Sequence, residues 1–454
     1  MTPLAPAAPG RVANQVGAST RRPIAVAAVL LAMALVVLDA GIANVALPTI
    51  ARSLAVAPAA AVMVITAYQT ALVMALLPVA AIGERLECRN VFVAGVGLFT
   101  AASLLCAAAT SLPFLLAARF LQGLGGAAVM ALGVALLRVT VPEDQLGRAI
   151  GWNALTVALA SAAGPALGAL VLSQAPWPWL FAINLPMGVM TLIASIALPT
   201  VGRSSQRLDV PSMMLSAIVF GSSVVGAELG FARPTFTVAA IMLAAASLVA
   251  LIRREQAKAS PVIPIDLLAS RSFRISVIAS TLCFTGQAAA LVALPFLIQN
   301  GLHQPALVAG LCMAAWPLSV AATATISGRL ADRFSTAWLC AIGATLLATG
   351  LGIAALSPFH DNPSSLAALL SLCGVGFGLF NVPNNRNMFL SAPPQRSAAA
   401  GGLQATARLS GQTAGAMLMT ALFTLTDADL APRIGLMLAA MLTLAAGFAS
   451  TRRV

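Results

Sequence analysis

Apolar runs of about twenty residues, the length a helix needs to cross a bilayer, succeed one another along almost the whole 454-residue chain. Broken at polar, proline and glycine clusters, the sequence resolves into fourteen of them, near 24–48, 58–82, 91–110, 113–137, 149–172, 178–199, 210–230, 234–252, 275–298, 304–327, 337–357, 364–384, 397–424 and 434–450. Composition agrees: 60% of residues are hydrophobic and 8% charged, against roughly 25% charged in a soluble domain. A long soluble enzyme, a disordered chain and a disulfide-built secreted domain are thereby excluded. In lipid the backbone must satisfy itself, and helices do so within one segment. The expected class is an all-α polytopic membrane protein.

The first run is too long for a signal peptide and carries Asp39 and Asn44, so it reads as a retained helix. Basic residues set the orientation. With the N-terminus inside, every Lys and Arg falls in an inside segment except Arg52, Arg233 and Arg433 outside, and Arg119 and Arg408 within runs. The net charge of +12 is thus a topology signal, and with no basic stripe interleaved with aromatics no nucleic-acid partner is expected.

The organisation that follows is a cytoplasmic tail over 1–22, a six-helix bundle over 23–200, two inserted helices with a cytoplasmic linker over 201–274, a second six-helix bundle over 275–450, and a tail over 451–454. The segment Gly328-Arg329-Leu330-Ala331-Asp332-Arg333 follows the tenth run. A decayed copy, Ala80-Ala81-Ile82-Gly83-Glu84-Arg85, follows the second, which indicates an internal repeat. The six cysteines show no CxxC spacing and read as free thiols. His303 and His360 lie in separate loops, so no metal site is expected.

Ionisable groups inside the hydrocarbon region are costly and therefore functional candidates. Asp39 comes first. Desolvation penalises its charged form, so it can hold a proton and release it when hydrated, or counter a cationic cargo; the structural reading is a partner for an arginine or a helix end. Arg119 and Gln122 are spaced i, i+3 and share a helix face, with Gly123 beside them allowing close approach. Arg119 either biases the protonation of Asp39 or clamps helices. Gly164-Pro165 with Gly168 makes a smooth, kink-prone face. Gln404, Arg408 and Gln412 form a polar stripe that either lines a cavity or bridges helices. Tyr68, the single tyrosine, either stacks on a substrate or fills space. Glu228 falls near a run's outer end, an interfacial position.

Taken in order, these segments resemble the major facilitator superfamily, and in particular its fourteen-helix drug:proton antiporter-2 branch, over essentially the whole chain. Leu38-Asp39 through Asn44 to Pro48 is similar to the first-helix motif. Gly328 to Arg333 is similar to the loop motif that locks the halves on the inner side. Arg119, Gln122 and Gly123 match the fourth-helix motif linked to proton coupling, and Gly164, Pro165 and Gly168 the fifth-helix motif of exporters. Trp179-Leu180-Phe181-Ala182-Ile183-Asn184-Leu185-Pro186 is similar to the entry of the sixth span. In the first-half loop Glu84 replaces the family's Asp, Glu87 its second Gly, and Cys88 an Arg, so the lock there is weakened or rewired.

The resemblance implies the major facilitator fold: two pseudo-symmetric six-helix bundles with two inserted helices. It also implies export of lipophilic drugs or toxic compounds by alternating access, driven by the proton gradient with no other cofactor. Asp39 would take the proton and Arg119 bias it. Asn44, Tyr68, Gln404 and Arg408 are cavity candidates, and Glu84, Arg85, Gly328, Asp332 and Arg333 belong to the conformational switch. As the single deep acid, Asp39 favours neutral or monovalent cationic cargo. The expected setting is the inner (plasma) membrane, both termini cytoplasmic, with a monomer sufficient. The alternatives are an exporter of an endogenous metabolite, an uncoupled transporter and, more remotely, a membrane sensor.

Overall fold

The computed structural model describes residues 9–200, 209–229, 234–256, 265–356, 363–393 and 396–453. Arg233, His360, the middle of the linker and the side chains of Glu84 and Glu228 lie outside the described residues. The described chain is helical with short connections and contains no strand.

In the first half, α1 spans Pro9–Ser53, α2 Pro58–Leu86, α3 Cys88–Ala107, α4 Leu112–Thr140 and α5 Glu143–Gln174. The sixth run is broken into α6, Trp179–Ala182, and α7, Asn184–Ala194, with a 3-10 turn after it. The apolar run over 178–199 predicts one unbroken segment there. Pro186 explains the break, since its missing N–H leaves the carbonyl of Ala182 without its usual donor. The insertion is a hairpin of α8, Val210–Leu229, and α9, Pro234–Gln256. The second half comprises α10, Arg271–Phe296, α11, Ala306–Arg333, α12, Thr336–Leu356, α13, Pro363–Leu390, α14, Ser397–Leu425, and α15, Ala431–Thr451. A π turn, Leu297–Gly301, prolongs α10 just beyond Pro295.

Among the described residues, fifteen helices, with α6 and α7 sharing one run, thus occupy the fourteen apolar runs. Twelve are long and apolar enough to cross a membrane. The apolar part of α8 is shorter. Although α14 has the length, 29 residues, it carries Gln404, Arg408 and Gln412, polarity that a lipid-facing helix would not tolerate and a cavity-facing one can.

The packing repeats itself between halves. In the first, α1 packs on α5, α2 on α4, α3 on α4, and α7 on α1 and α3. In the second, α10 packs on α14, α11 on α13, α12 on α13, and α15 on α10 and α12. Each pair is its counterpart displaced by one half, which is the internal repeat that the loop motifs imply. The hairpin α8–α9 lies outside this plan, with α8 against α2 and α14, and α9 presenting Phe236, Val238, Ile241 and Met242 outward.

The halves meet through α5 and α11, α2 and α14, and α1 and α10. At the end bearing the α1–α2 and α10–α11 loops the contact is close. Gln299, in the π turn, donates through Nε2 to the carbonyl of Val45 at 2.9 Å and accepts from Thr49 Oγ1 at 3.5 Å. Alongside, Gly310 of α11 lies against the carbonyl of Pro165 and the methyl of Ala169 on α5, with no room for a side chain. The described conformation is closed at this end.

Candidate functional site

Asp39, Arg119 and Gln122 come together in the first half. Asp39 lies on α1 and is 1% exposed. Arg119 Nη1 donates to its Oδ2 at 2.6 Å, and Gln122 Nε2 to its Oδ1 at 2.9 Å. The i, i+3 spacing on α4 is what lets both reach one carboxylate. Arg119 Nη1 also donates to Gln122 Oε1 at 2.6 Å, and its Nε to the carbonyl of Val64 at 3.2 Å. The guanidinium lies over the ring of Tyr68, 4.4 Å from its centroid, and 5.5 Å from that of Phe181. Such stacking offsets part of the cost of a buried cation.

Two partners were not among the residues expected from sequence. Asn184 donates from Nδ2 to Asp39 Oδ1 at 2.8 Å, and Ser103 Oγ accepts from Gln122 Nε2 at 2.8 Å. The break after Ala182 starts α7 at Asn184 and so positions that amide. The available signal was a lone Asn two residues before a Pro in an apolar run. Nothing marks Ser103 in an apolar helix. The carboxylate thus accepts three hydrogen bonds, two of them neutral. Its charge is met inside the half, so in this conformation Asp39 is not free to counter a cationic cargo.

The remaining candidates scatter. Asn44 donates to the carbonyl of Ala40 in its own helix at 2.9 Å, away from the cluster. Gly123 sits against the backbone of Tyr68. Gly164 and Gly168 abut α1, where a methyl on Gly41 would stand 3.1 Å from the Cα of Gly164. Pro165 faces α11 through its carbonyl. Gln404 donates to Asn385 Oδ1 at 3.2 Å, joining α14 to α13. The Nε of Arg408 is shut away from the surface without a partner.

The loop motif behaves differently from expectation. Asp332 pairs with Arg386 at 2.8 Å, and Arg386 also donates to the carbonyl of Ala331. Both helices, α11 and α13, belong to the second half, so this ion pair braces one bundle and does not lock two together. Arg85 and Arg333 are exposed, and Gly328 faces open space. In the first-half copy Glu87, standing where the resemblance expects Gly, takes φ 92°, a region that glycine adopts freely and other residues rarely do.

The described residues contain no group of His, Cys, Asp and Glu able to hold a metal, and the described cysteines are free. The arrangement holds one carboxylate and one guanidinium in a buried ion pair within a two-half helical shell.

Residues 29–416 match the model of the Major Facilitator Superfamily. The chain belongs to that superfamily. It is therefore a multi-pass membrane transporter and not an enzyme. It is 38% identical over 436 residues to the uncharacterized transporter YebQ of Escherichia coli (strain K12), covering 95% of each chain. The riboflavin transporter RibZ of Clostridioides difficile (strain 630) is 27% identical, over 82% of this chain and 81% of the relative. The multidrug resistance protein Stp of Mycobacterium tuberculosis (strain CDC 1551 / Oshkosh) is 28% identical, over 89% and 76%. Within this superfamily the repeat of helix packing and the two-half seam are the framework of alternating access.

Proposed function

We propose that this chain is a proton-coupled efflux transporter that expels small lipophilic compounds by alternating access. The observation that carries the proposal is the Asp39–Arg119 pair, 2.6 Å apart and each 1% exposed. Among the described residues a carboxylate so placed is the one deep group that can take up a proton, and protonating it removes the counter-charge of an arginine that cannot lose its own. The broken pair has to be solvated by other groups, so the proton biases how α1, α4 and α7 sit together. That is a means of linking protonation to the rocking of the halves. On α5, Gly164 and Gly168 lie against α1 inside the first half while the Pro165 carbonyl meets α11 across the seam, which puts α5 between the seam and the helix bearing Asp39.

Similarity to a multidrug resistance protein supports export of foreign compounds. Similarity to a riboflavin transporter supports movement of a metabolite on the same framework, and the second reading is an exporter of such a compound. In either case the proton gradient drives the cycle, no other cofactor takes part, and one chain suffices. The chain sits in the inner membrane with both termini in the cytoplasm, the orientation that places almost all its loop arginines inside.

The test is flux in proteoliposomes holding the full chain, under an imposed pH gradient, with wild type set beside Asp39→Asn. Gradient-driven movement of a lipophilic dye is expected in the first and is expected to collapse in the second. Equal transport by both would overturn the coupling role of Asp39.

A further inference from the structure

The hydrogen-bonding groups left unused at the seam between the halves add the charge of the cargo, an inference that rests on the transporter reading above. Five of the six helices that meet across the seam carry a buried polar atom with no partner among the described residues. They are the Tyr68 hydroxyl and Gln69 Oε1 on α2, Asn153 Oδ1 on α5, Ser280 Oγ on α10, Trp316 Nε1 and Ser327 Oγ on α11, and Arg408 Nε on α14. Glu87 and Arg453 carry such atoms outside these helices; native interiors satisfy buried polar atoms, so each asks for a partner. An indole N–H can only donate, and a guanidinium can only donate.

Arg408 decides the sign. Its place on α14 follows from helix geometry at 100° per residue. Gly411 and Gly415 pack against Phe284, Thr285 and Ala288 of α10. Leu409 packs into the apolar core of the first half with Tyr68 and Leu72. Arg408 lies on the helix surface between these two faces, beside the contacts of α14 with α10 and α2. No described carboxylate forms an ion pair with it. The deep acid, Asp39, is held by Arg119, Gln122 and Asn184, and Asp332 is held by Arg386. An arginine cannot shed its proton, and an uncompensated charge inside the bilayer is strongly unfavourable. A cationic cargo would add a second positive charge to a space with no free acid.

We propose that the cargo is a small organic anion, an apolar body bearing one carboxylate, and that Arg408 receives the carboxylate. The planar fork of a guanidinium matches a carboxylate with two parallel hydrogen bonds. The apolar side chains beside Arg408 on α14 and α10 take the body.

The test uses two probes with one body, pyrenebutyrate and a pyrenebutyl trimethylammonium salt. Equilibrium binding to the detergent-purified full chain is read by energy transfer from tryptophan, with no gradient present. Wild type is expected to bind the carboxylate at least about tenfold more tightly than the ammonium, the difference that one charge-assisted hydrogen bond supports. Arg408→Gln is expected to lose that margin without weakening the ammonium probe, and Arg408→Lys to keep most of it. Equal or tighter binding of the ammonium probe by wild type overturns the proposal, as does undiminished carboxylate binding by Arg408→Gln. If that variant does not fold, the wild-type preference between the two probes decides alone. A failure of proton coupling looks different: the anion preference persists in binding while flux ignores the pH gradient.

Discussion

Asn184 donates its side-chain amide to Oδ1 of Asp39 across 2.8 Å, tying the broken sixth span to the first. Gln122 reaches the same oxygen at 2.9 Å, while Arg119 holds the other. One carboxylate thus gathers three helices, and the loss of one donor is felt by all of them.

Asn184→Ala removes a neutral donor from a buried carboxylate. The expected cost is about 1–3 kcal/mol, read as a lowered midpoint of thermal unfolding in detergent. Asn184→Asp is expected to cost more, because it sets a second acid against Asp39. A midpoint unchanged in both variants would show that the bond contributes nothing.

Arg119→Gln and Asp39→Asn each strand a partner in the interior, and each is expected to destabilise by about 3–5 kcal/mol. The double variant strands neither. Its loss is expected to fall short of the sum by more than about 1 kcal/mol, as contacting residues do. Strict additivity in chemical unfolding would mean that the two side chains are not energetically coupled.

Gln299→Ala removes the bond from the π turn to Val45, which holds one end of the seam closed. A single neutral hydrogen bond contributes about 1 kcal/mol, so the open population is expected to rise several-fold. A cysteine placed at Thr49 in a background lacking other cysteines should then react several-fold faster with an impermeant thiol reagent. An unchanged rate would rule out this bond as a latch.

Two glycines make a contrasting pair. Gly310 has backbone and a methyl of α5 pressed against it, whereas Gly328 faces open space. Gly310→Val is expected to abolish transport while leaving a folded protein, since the halves can no longer close on each other. Gly328→Ala is expected to transport at the wild-type rate despite its place in a recognisable motif. The reverse result would mean that the motif acts through its backbone and not through Asp332 and Arg386.

Much of this was legible in the chain. Run length located the helices because the bilayer imposes one length on all of them. The spacing of Arg119 and Gln122 announced a shared face, and a charged residue in an apolar run announces itself. Asn184 and Ser103 were not found, because a small polar residue in a membrane helix carries no periodic signal; only the fold says what it faces. Asp332 was expected to join halves and instead braces one, since its partner Arg386 lies 54 positions away in sequence with no local pattern connecting them. Glu87 shows the opposite failure. A departure from the expected glycine was visible, yet the backbone keeps the φ that glycine would have taken.

The unpaired guanidinium on α14 has an electrical consequence. While Asp39 is ionised it cancels Arg119, so a monoanionic cargo on Arg408 leaves the loaded carrier neutral inside; without cargo the carrier holds one uncompensated positive charge, and a second once Asp39 takes up its proton. Moving an elementary charge through the full membrane potential involves about 2.3 kcal/mol per 100 mV, and the interior of a rocking carrier crosses some fraction of it. The loaded stroke is then indifferent to voltage, and the empty return is the step on which the potential acts.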